Sequence, residues 1–260
     1  MVRGWFRLDR EPYVIRIFVL LCLSMLPAGA LAQVDEQQSR HMGDQQCLSR
    51  IDHVLRSDQV FIRDNMQFNL INRGGTKVLR AVGAVGRQDA ERLASVLRQH
   101  GDIDEIWFHS PGGVAIQGPA MGRVIRQAGI PTRIVRGDVC FSACTYAFLG
   151  GPLRYIDEGG CYGSHMFSRY GSGANTVVED IVGASRRFGN DSRGFSSWMR
   201  TYMQDIEKRA AQVARDQARF LREMSVSDRF LTYIFDTDAP DAFFFRRNQL
   251  IELQIENGIR

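Results

Sequence analysis

From Phe68 onward the chain falls into short apolar runs separated by turn signals: Phe68 to Ile71, then Asn72-Arg73-Gly74-Gly75, then Val78 to Val85. That spacing predicts a hairpin or two consecutive strands. Arg87 to Gln99 sets Ala90, Leu93, Ala94 and Leu97 at helical spacing, and Ile103 to His109 is a short β-prone run ending at Ser110-Pro111-Gly112-Gly113. Strand, helix, strand and glycine turn make a βα unit. A second unit repeats the theme, with a helical pattern over Ile116 to Gln127, a break at Gly129-Ile130-Pro131 and a strand over Thr132 to Val135. Ser142 to Leu149 reads as a buried helix stopped by Gly150-Gly151-Pro152. The alternation predicts one α/β domain over residues 67–260.

Beyond His165 a polar, glycine-bearing stretch runs from Ser168 to Asn175, followed by a helical region from about Phe195 to Met224. Its apolar residues Trp198, Tyr202, Ile206, Ala210 and Val213 recur at three and four, so one face packs, either against the core or in an oligomer contact. At the other end, residues 33–66 are polar and read as a weakly ordered lead-in or a short helix. Residues 1–32 have the pattern of a secretory signal peptide: Arg3, Arg7, Arg10 and Arg16 precede or abut the apolar run Ile17 to Leu26, which closes on Ala30-Leu31-Ala32. Cleavage after Ala32 would leave a periplasmic or secreted protein. An uncleaved membrane anchor is the alternative, although the run is short for a span and meets Pro27.

With 44% apolar and 24% charged residues the chain is globular rather than disordered. Residues 1–32 carry four arginines against Asp9 and Glu11, so their removal lowers the formal charge from +4 to +2. Nucleic acid is therefore not an expected partner. Lys77 and Lys208 are the two lysines, which confines any lysine-based mechanism to them. Once Cys22 has left with the signal, Cys47, Cys140, Cys144 and Cys161 remain. An even number in an exported chain permits disulfides, in three connectivities. With no CxxC or HExxH spacing, no metal site is expected. The chain also lacks a GxSxG elbow, a P-loop and a GxGxxG turn, which argues against an α/β-hydrolase, a P-loop NTPase and a dinucleotide binder; no cofactor is expected.

Candidate chemistry lies between His109 and His165. The glycines of Ser110-Pro111-Gly112-Gly113 can bring backbone amides close to a ligand, or can simply shape a βα turn. Ser142 falls where a strand gives way to a helix, so its hydroxyl is either a helix cap or an exposed nucleophile beside free amides. His165 follows 23 residues later, where the chain returns from the serine helix. A nucleophile and its base require that relation.

Taken in order, these segments resemble the proteolytic subunit of the Clp protease within the ClpP/crotonase fold. The resemblance is carried by the Ser-Pro-Gly-Gly turn, Ser142 leading into Ala147-Phe148-Leu149, His165, and Asp236-Thr237-Asp238-Ala239-Pro240-Asp241-Ala242-Phe243-Phe244. It spans roughly Val78 to Ile259. The cysteines around Ser142 are similar to the Cys-x-Ser-Ala-Cys pattern of exported Clp-like bacterial proteins.

The resemblance implies a repeated ββα superhelix and a serine peptidase or hydrolase working through an acyl-enzyme. Ser142 would be nucleophile, His165 general base and Asp236 the orienting acid, with Asp238 and Asp241 as alternatives. Backbone amides of Gly112 and Ala143 would form the oxyanion hole. It also implies a homo-oligomer acting on a peptide or unfolded protein segment. No ATPase partner is expected, since export removes the ATP supply. Approach of Ser142 to His165 would bring Cys161 near Cys140 and Cys144, so a disulfide joining one of them to Cys161 is expected. Competing readings are a Ser-Lys dyad using Lys208, a crotonase-like acyl-CoA enzyme, and a non-catalytic binding or scaffold protein.

Overall fold

The computed structural model describes residues 45–49, 65–166, 172–238 and 241–258, with side chains omitted for 172–176. The proposed signal peptide, its cleavage site and most of the polar lead-in lie outside the described residues.

The alternation of apolar runs and helical stretches produces a layered α/β architecture. Strands β1 (Gln67–Arg73) and β2 (Thr76–Val82) form the predicted hairpin, followed by helix α1 (Asp89–Gln99) and strand β3 (Glu105–His109). Helix α2 (Gln117–Ala128), strands β4 (Thr132–Ile134) and β5 (Val139–Phe141), helix α3 (Ala143–Phe148), and strands β6 (Arg154–Ile156) and β7 (Cys161–Ser164) come next. Helices α4 (Ser172–Phe188), α5 (Ser192–Glu223) and α6 (Phe230–Phe235), strand β8 (Phe243–Phe244) and helix α7 (Arg247–Glu252) complete the series.

The larger sheet has the order β1-β2-β3-β4-β6, antiparallel at the hairpin and parallel thereafter; the smaller has the order β5-β7-β8. After leaving the larger sheet the chain takes a second short extended step each time, at Val85, at Ser110 to Gly113, at β5 and at β7. Isolated parallel bridges Val85↔Gly113 and Ser110↔Cys140 join the first of these steps to the smaller sheet. The chain thus builds the repeated strand-strand-helix units that the resemblance implied, and each unit delivers a turn to the same edge.

Between the layers, Leu79, Leu93, Phe108, Met121, Phe148, Phe220 and Phe230 are buried in one apolar core. Roughly 25 cal/mol for each Å² of apolar surface removed from water is the main drive for this packing. Arg154 on β6 is 1% exposed within that core. Its guanidinium donates to the carbonyls of Ile255 at 2.8 Å, Gly151 at 2.9 Å and Gln254 at 2.6 Å, so the C-terminal residues close over it. Burial lowers the pKa of this cation to about 10.

The long helical region differs from its expected outline. Helix α4 begins at Ser172, inside the stretch read as polar and irregular, and α5 begins at Ser192, where Asp191 accepts from the Gly194 N–H at 3.0 Å as an N-cap. The two helices pack as a hairpin: Tyr202 donates to Asp180, and Phe188, Phe195, Trp198 and Tyr202 form a run of ring contacts. Trp198, Tyr202, Ile206 and Val213 are half-buried and outside the core, and Ala210 is exposed. Only the last turn of α5, at Phe220 and Leu221, enters the core.

Across the parallel strands Glu105 accepts from Arg133 at 2.9 and 3.0 Å and from Trp107 at 2.6 Å. Burial alone would raise the Glu105 pKa, but the hydrogen bonds from Arg133 and Trp107 outweigh it and hold the carboxyl below its usual value of 4.5. A carboxylate whose folded pKa is depressed stabilises the fold above its unfolded pKa and loses that contribution as pH falls through the folded one. Glu105→Gln is therefore expected to lower the unfolding free energy at pH 7 by about 1–3 kcal/mol. The difference from the native protein should shrink progressively below about pH 4.5 in urea titrations at a series of pH values.

Candidate active site

Strand β5 ends at Phe141 and helix α3 begins at Ala143, so Ser142 alone makes the turn. It does so at φ 55° and ψ −124°, in the left-handed half of the map where a side chain is disfavoured. Such a conformation costs on the order of 1–3 kcal/mol and persists only when its surroundings enforce it. Here the Ser142 N–H donates to the Gly163 carbonyl at 3.1 Å, and the Ser142 carbonyl accepts from the Thr145 N–H at 3.0 Å and Thr145 Oγ1 at 2.6 Å.

His165 follows directly after β7, which pairs in parallel with β5 so that Phe141 lies opposite Gly163. Its Nε2 stands 2.8 Å from Ser142 Oγ. With Nε2 unprotonated, the hydroxyl donates to it, as a general base requires. Residues 141, 163 and 165 share a face by strand alternation, so the Phe141 ring stacks on the imidazole at 5.0 Å and 10°. Phe244 of β8 extends the stack at 5.5 Å from Phe141. Gly163 makes room for it, since a Cβ there would lie 2.5 Å from the Phe244 ring. Sequence reasoning missed Phe141 and Phe244 as neighbours of the histidine. The face that Phe141 shares with His165 follows from the β5–β7 register, which no local pattern in the sequence marks.

The first glycine of the Ser-Pro-Gly-Gly turn packs directly on Ser142. Gly112 has φ +90°, and a Cβ there would come within 2.6 Å of both the Phe141 carbonyl and Ser142 Cβ. Its N–H, expected to line an oxyanion hole, donates instead to Ser110 Oγ at 3.1 Å. Among the described residues the amides of Gly113 and Ala143 make no hydrogen bond. Ser110 is fully buried, and its own backbone ties the turn to β5 through Ser110 N–H to Val139 O at 2.7 Å and Phe141 N–H to Ser110 O at 3.0 Å.

The three candidate acids lie on one segment. The Met166 N–H donates to the Thr237 carbonyl at 2.9 Å, which holds the backbone of residues 236–238 beside His165. The carboxylates of Asp236, Asp238 and Asp241 are exposed, and none of the three hydrogen bonds to His165. Lys208 is exposed on α5 and makes no bond to Ser142. Among the described residues no group of His, Cys, Asp and Glu could hold a metal ion.

The cysteines pair differently from expectation. Cys47 is bonded to Cys161 and Cys140 to Cys144, with Cα separations of 5.6 and 5.3 Å. Strand alternation explains the correction. In the β5–β7 register Cys161 lies opposite Val139 and Cys140 opposite Tyr162, so Cys161 and Cys140 project to opposite faces of the small sheet. Cys161 faces a cluster of Cys47, Val139 and Phe244, whereas Cys140 and Cys144 face the main core.

No protein-family model matches the chain, and no curated protein matches it. Among solved structures it is similar to a ClpP1 variant from Listeria monocytogenes, at 16% identity over 70% of this chain and 90% of that one, with a TM-score of 0.43. It is also similar to a variant of a membrane-bound stomatin-specific protease, at 13% identity over 70% of this chain and 78% of that one, with a TM-score of 0.38. The chemistry of the site is read from the chain's own geometry.

Gly112→Ala should disturb this site without removing a polar group. The added methyl meets the backbone of the serine turn, and the positive φ opposes it as well. Unfolding free energy should fall by at least about 1 kcal/mol, with loss of Ser142 reactivity toward a fluorophosphonate.

Proposed function

We propose that the protein is an exported serine hydrolase, a peptidase acting on short peptides or unfolded protein segments through an acyl-enzyme. The observation that carries this reading is the 2.8 Å approach of His165 Nε2 to Ser142 Oγ, with the serine held in a strained backbone conformation. Coded serines adopt such a φ only under constraint. A nucleophile at a sharp strand-to-helix turn gains exposure of its hydroxyl in return.

In the proposed reaction the Ser142 hydroxyl gives its proton to His165 Nε2 as its oxygen adds to the scissile carbonyl. The resulting oxyanion takes hydrogen bonds from the amides of Ala143 and Gly113, the latter replacing Gly112, whose N–H is engaged by Ser110. His165 passes the proton to the leaving amine. Water then enters by the reverse sequence and frees the acid. A carboxylate that orients the imidazole is drawn from the 236–241 segment, with Asp236 first in line. Two disulfides support an oxidising compartment and so support the export reading.

The deciding experiment is active-site labelling with a fluorophosphonate. Ser142→Ala and His165→Ala should each abolish labelling of the folded protein. Asp236→Asn should slow it by about a hundred-fold or more through loss of the productive tautomer, while Asp238→Asn and Asp241→Asn stay within about two-fold. A folded native protein that never reacts with the probe overturns the reading. A large loss at Asp238 or Asp241 instead transfers the orienting role to that residue.

A further inference from the structure

The disulfide Cys140–Cys144 closes a five-residue loop with Ser142 at its centre. We propose that this bond is a positioning device: it holds the serine turn in the conformation that delivers Oγ to His165, so that the nucleophile is assembled only in the oxidised protein. The proposal deepens the hydrolase reading of the same site and rests on it.

The two disulfides differ in what they can do. Cys47–Cys161 spans 114 positions, whereas Cys140–Cys144 spans 4. The entropy a cross-link removes from the unfolded chain grows with the logarithm of the loop it closes, so the short bridge restrains the unfolded state far less. What it fixes is local geometry. One sulfur is anchored on β5, where Cys140 lies opposite Tyr162 of the strand that leads to His165; the other is on the first turn of α3. Those are the two flanks of the only residue that makes the turn.

Apart from the backbone hydrogen bonds of Ser142 to Gly163 and Thr145, the turn is flanked by short elements. Strand β5 is three residues long, α3 is six, and the Ser142 side chain makes no capping hydrogen bond to α3 because its hydroxyl is turned to His165. Both sulfurs are fully buried. Two thiols cannot keep the separation of a bonded pair, and packed surroundings leave the turn between them to absorb the movement. Phe141, which stacks on the imidazole, lies inside the same loop.

Reduction by a dithiol breaks the S–S bond. The reductant gives up two electrons and two protons, both cysteines become thiols, and the reductant closes to its own disulfide. Oxidation by a disulfide-exchange oxidant runs the same step backwards, returning the serine to its strained turn.

The test compares the oxidised native protein with Cys140→Ala/Cys144→Ala by two readouts. One is the rate of fluorophosphonate labelling at Ser142; the other is the 15N resonance of His165 Nε2, which senses the hydrogen bond whether or not any reaction occurs. The folded double variant, verified by near-UV circular dichroism, should label roughly ten- to a hundred-fold more slowly. Its Nε2 resonance should move to the position found in Ser142→Ala. Should the double variant fail to fold, the native protein reduced with dithiothreitol is read in the same two ways, and reoxidation should restore both signals. Native labelling with an unmoved resonance in folded, bridge-free protein overturns the proposal. Oxidised native protein that does not label at all overturns the hydrolase reading instead, and the nitrogen resonance still decides the positioning.

Discussion

The parallel pairing of β5 with β7 is the constraint on which the site depends. These strands are three and four residues long, yet their register brings the backbones of Ser142 and His165 side by side. It puts Phe141 opposite Gly163, lets the Ser142 N–H reach the Gly163 carbonyl, and leaves the two chains diverging with a hydroxyl and an imidazole at hydrogen-bonding distance. A one-residue slip would send every side chain of β7 to the other face. Several features oppose that slip: the Cys47–Cys161 bridge, the buried aromatic rings of Phe244 and Tyr162, and the antiparallel seam of β7 with β8.

Around this pairing the rest of the molecule acts as a frame. The larger sheet carries the Glu105–Arg133–Asp157 ladder, and β4 and β6 each lead into a strand of the smaller sheet, β5 and β7. Next to the serine turn, Asp138 receives Arg80 and lies 3.2 Å from His109 Nδ1, so the approach to β5 is pinned by charge while its continuation is pinned by packing. The candidate site thus draws on residues from β3 to β8, more than a hundred positions apart.

The sequence was most legible where apolar spacing was regular. Helices α1 and α2 and strands β2, β3 and β4 follow the predicted pattern because each alternates buried with less buried positions, while β1 and α3 were legible from the glycine turns that bound them. Ser142 and His165 could be singled out by position relative to those elements. The α4–α5 hairpin was read as a polar stretch and a single helix because, among the described side chains of α4, Ala184 alone is buried, which leaves almost no core-facing stripe there. Its start is set by contacts with α5, and Asp191 before Ser192 was the one local signal of the break. Strand β7 escaped notice because it is buried at all four positions, which removes the alternation that marks a half-exposed strand, and β6 because three residues are too few to show one. The disulfide partners depended on which face each cysteine takes, and that is fixed by a register no local pattern reports.

Arg154 carries an implication for the order in which the chain can be built. Its guanidinium lies in the core on the last strand of the larger sheet, and while Gly151 supplies one acceptor nearby, the carbonyls of Gln254 and Ile255 come about a hundred positions later. Until that tail arrives, β6 would bury a cation with too few acceptors, a state several kcal/mol less favourable by the usual cost of an uncompensated charge. Docking of β6 into the core is therefore coupled to the arrival of residues 254 and 255, which ties the edge of the larger sheet to a segment a hundred positions away in the chain.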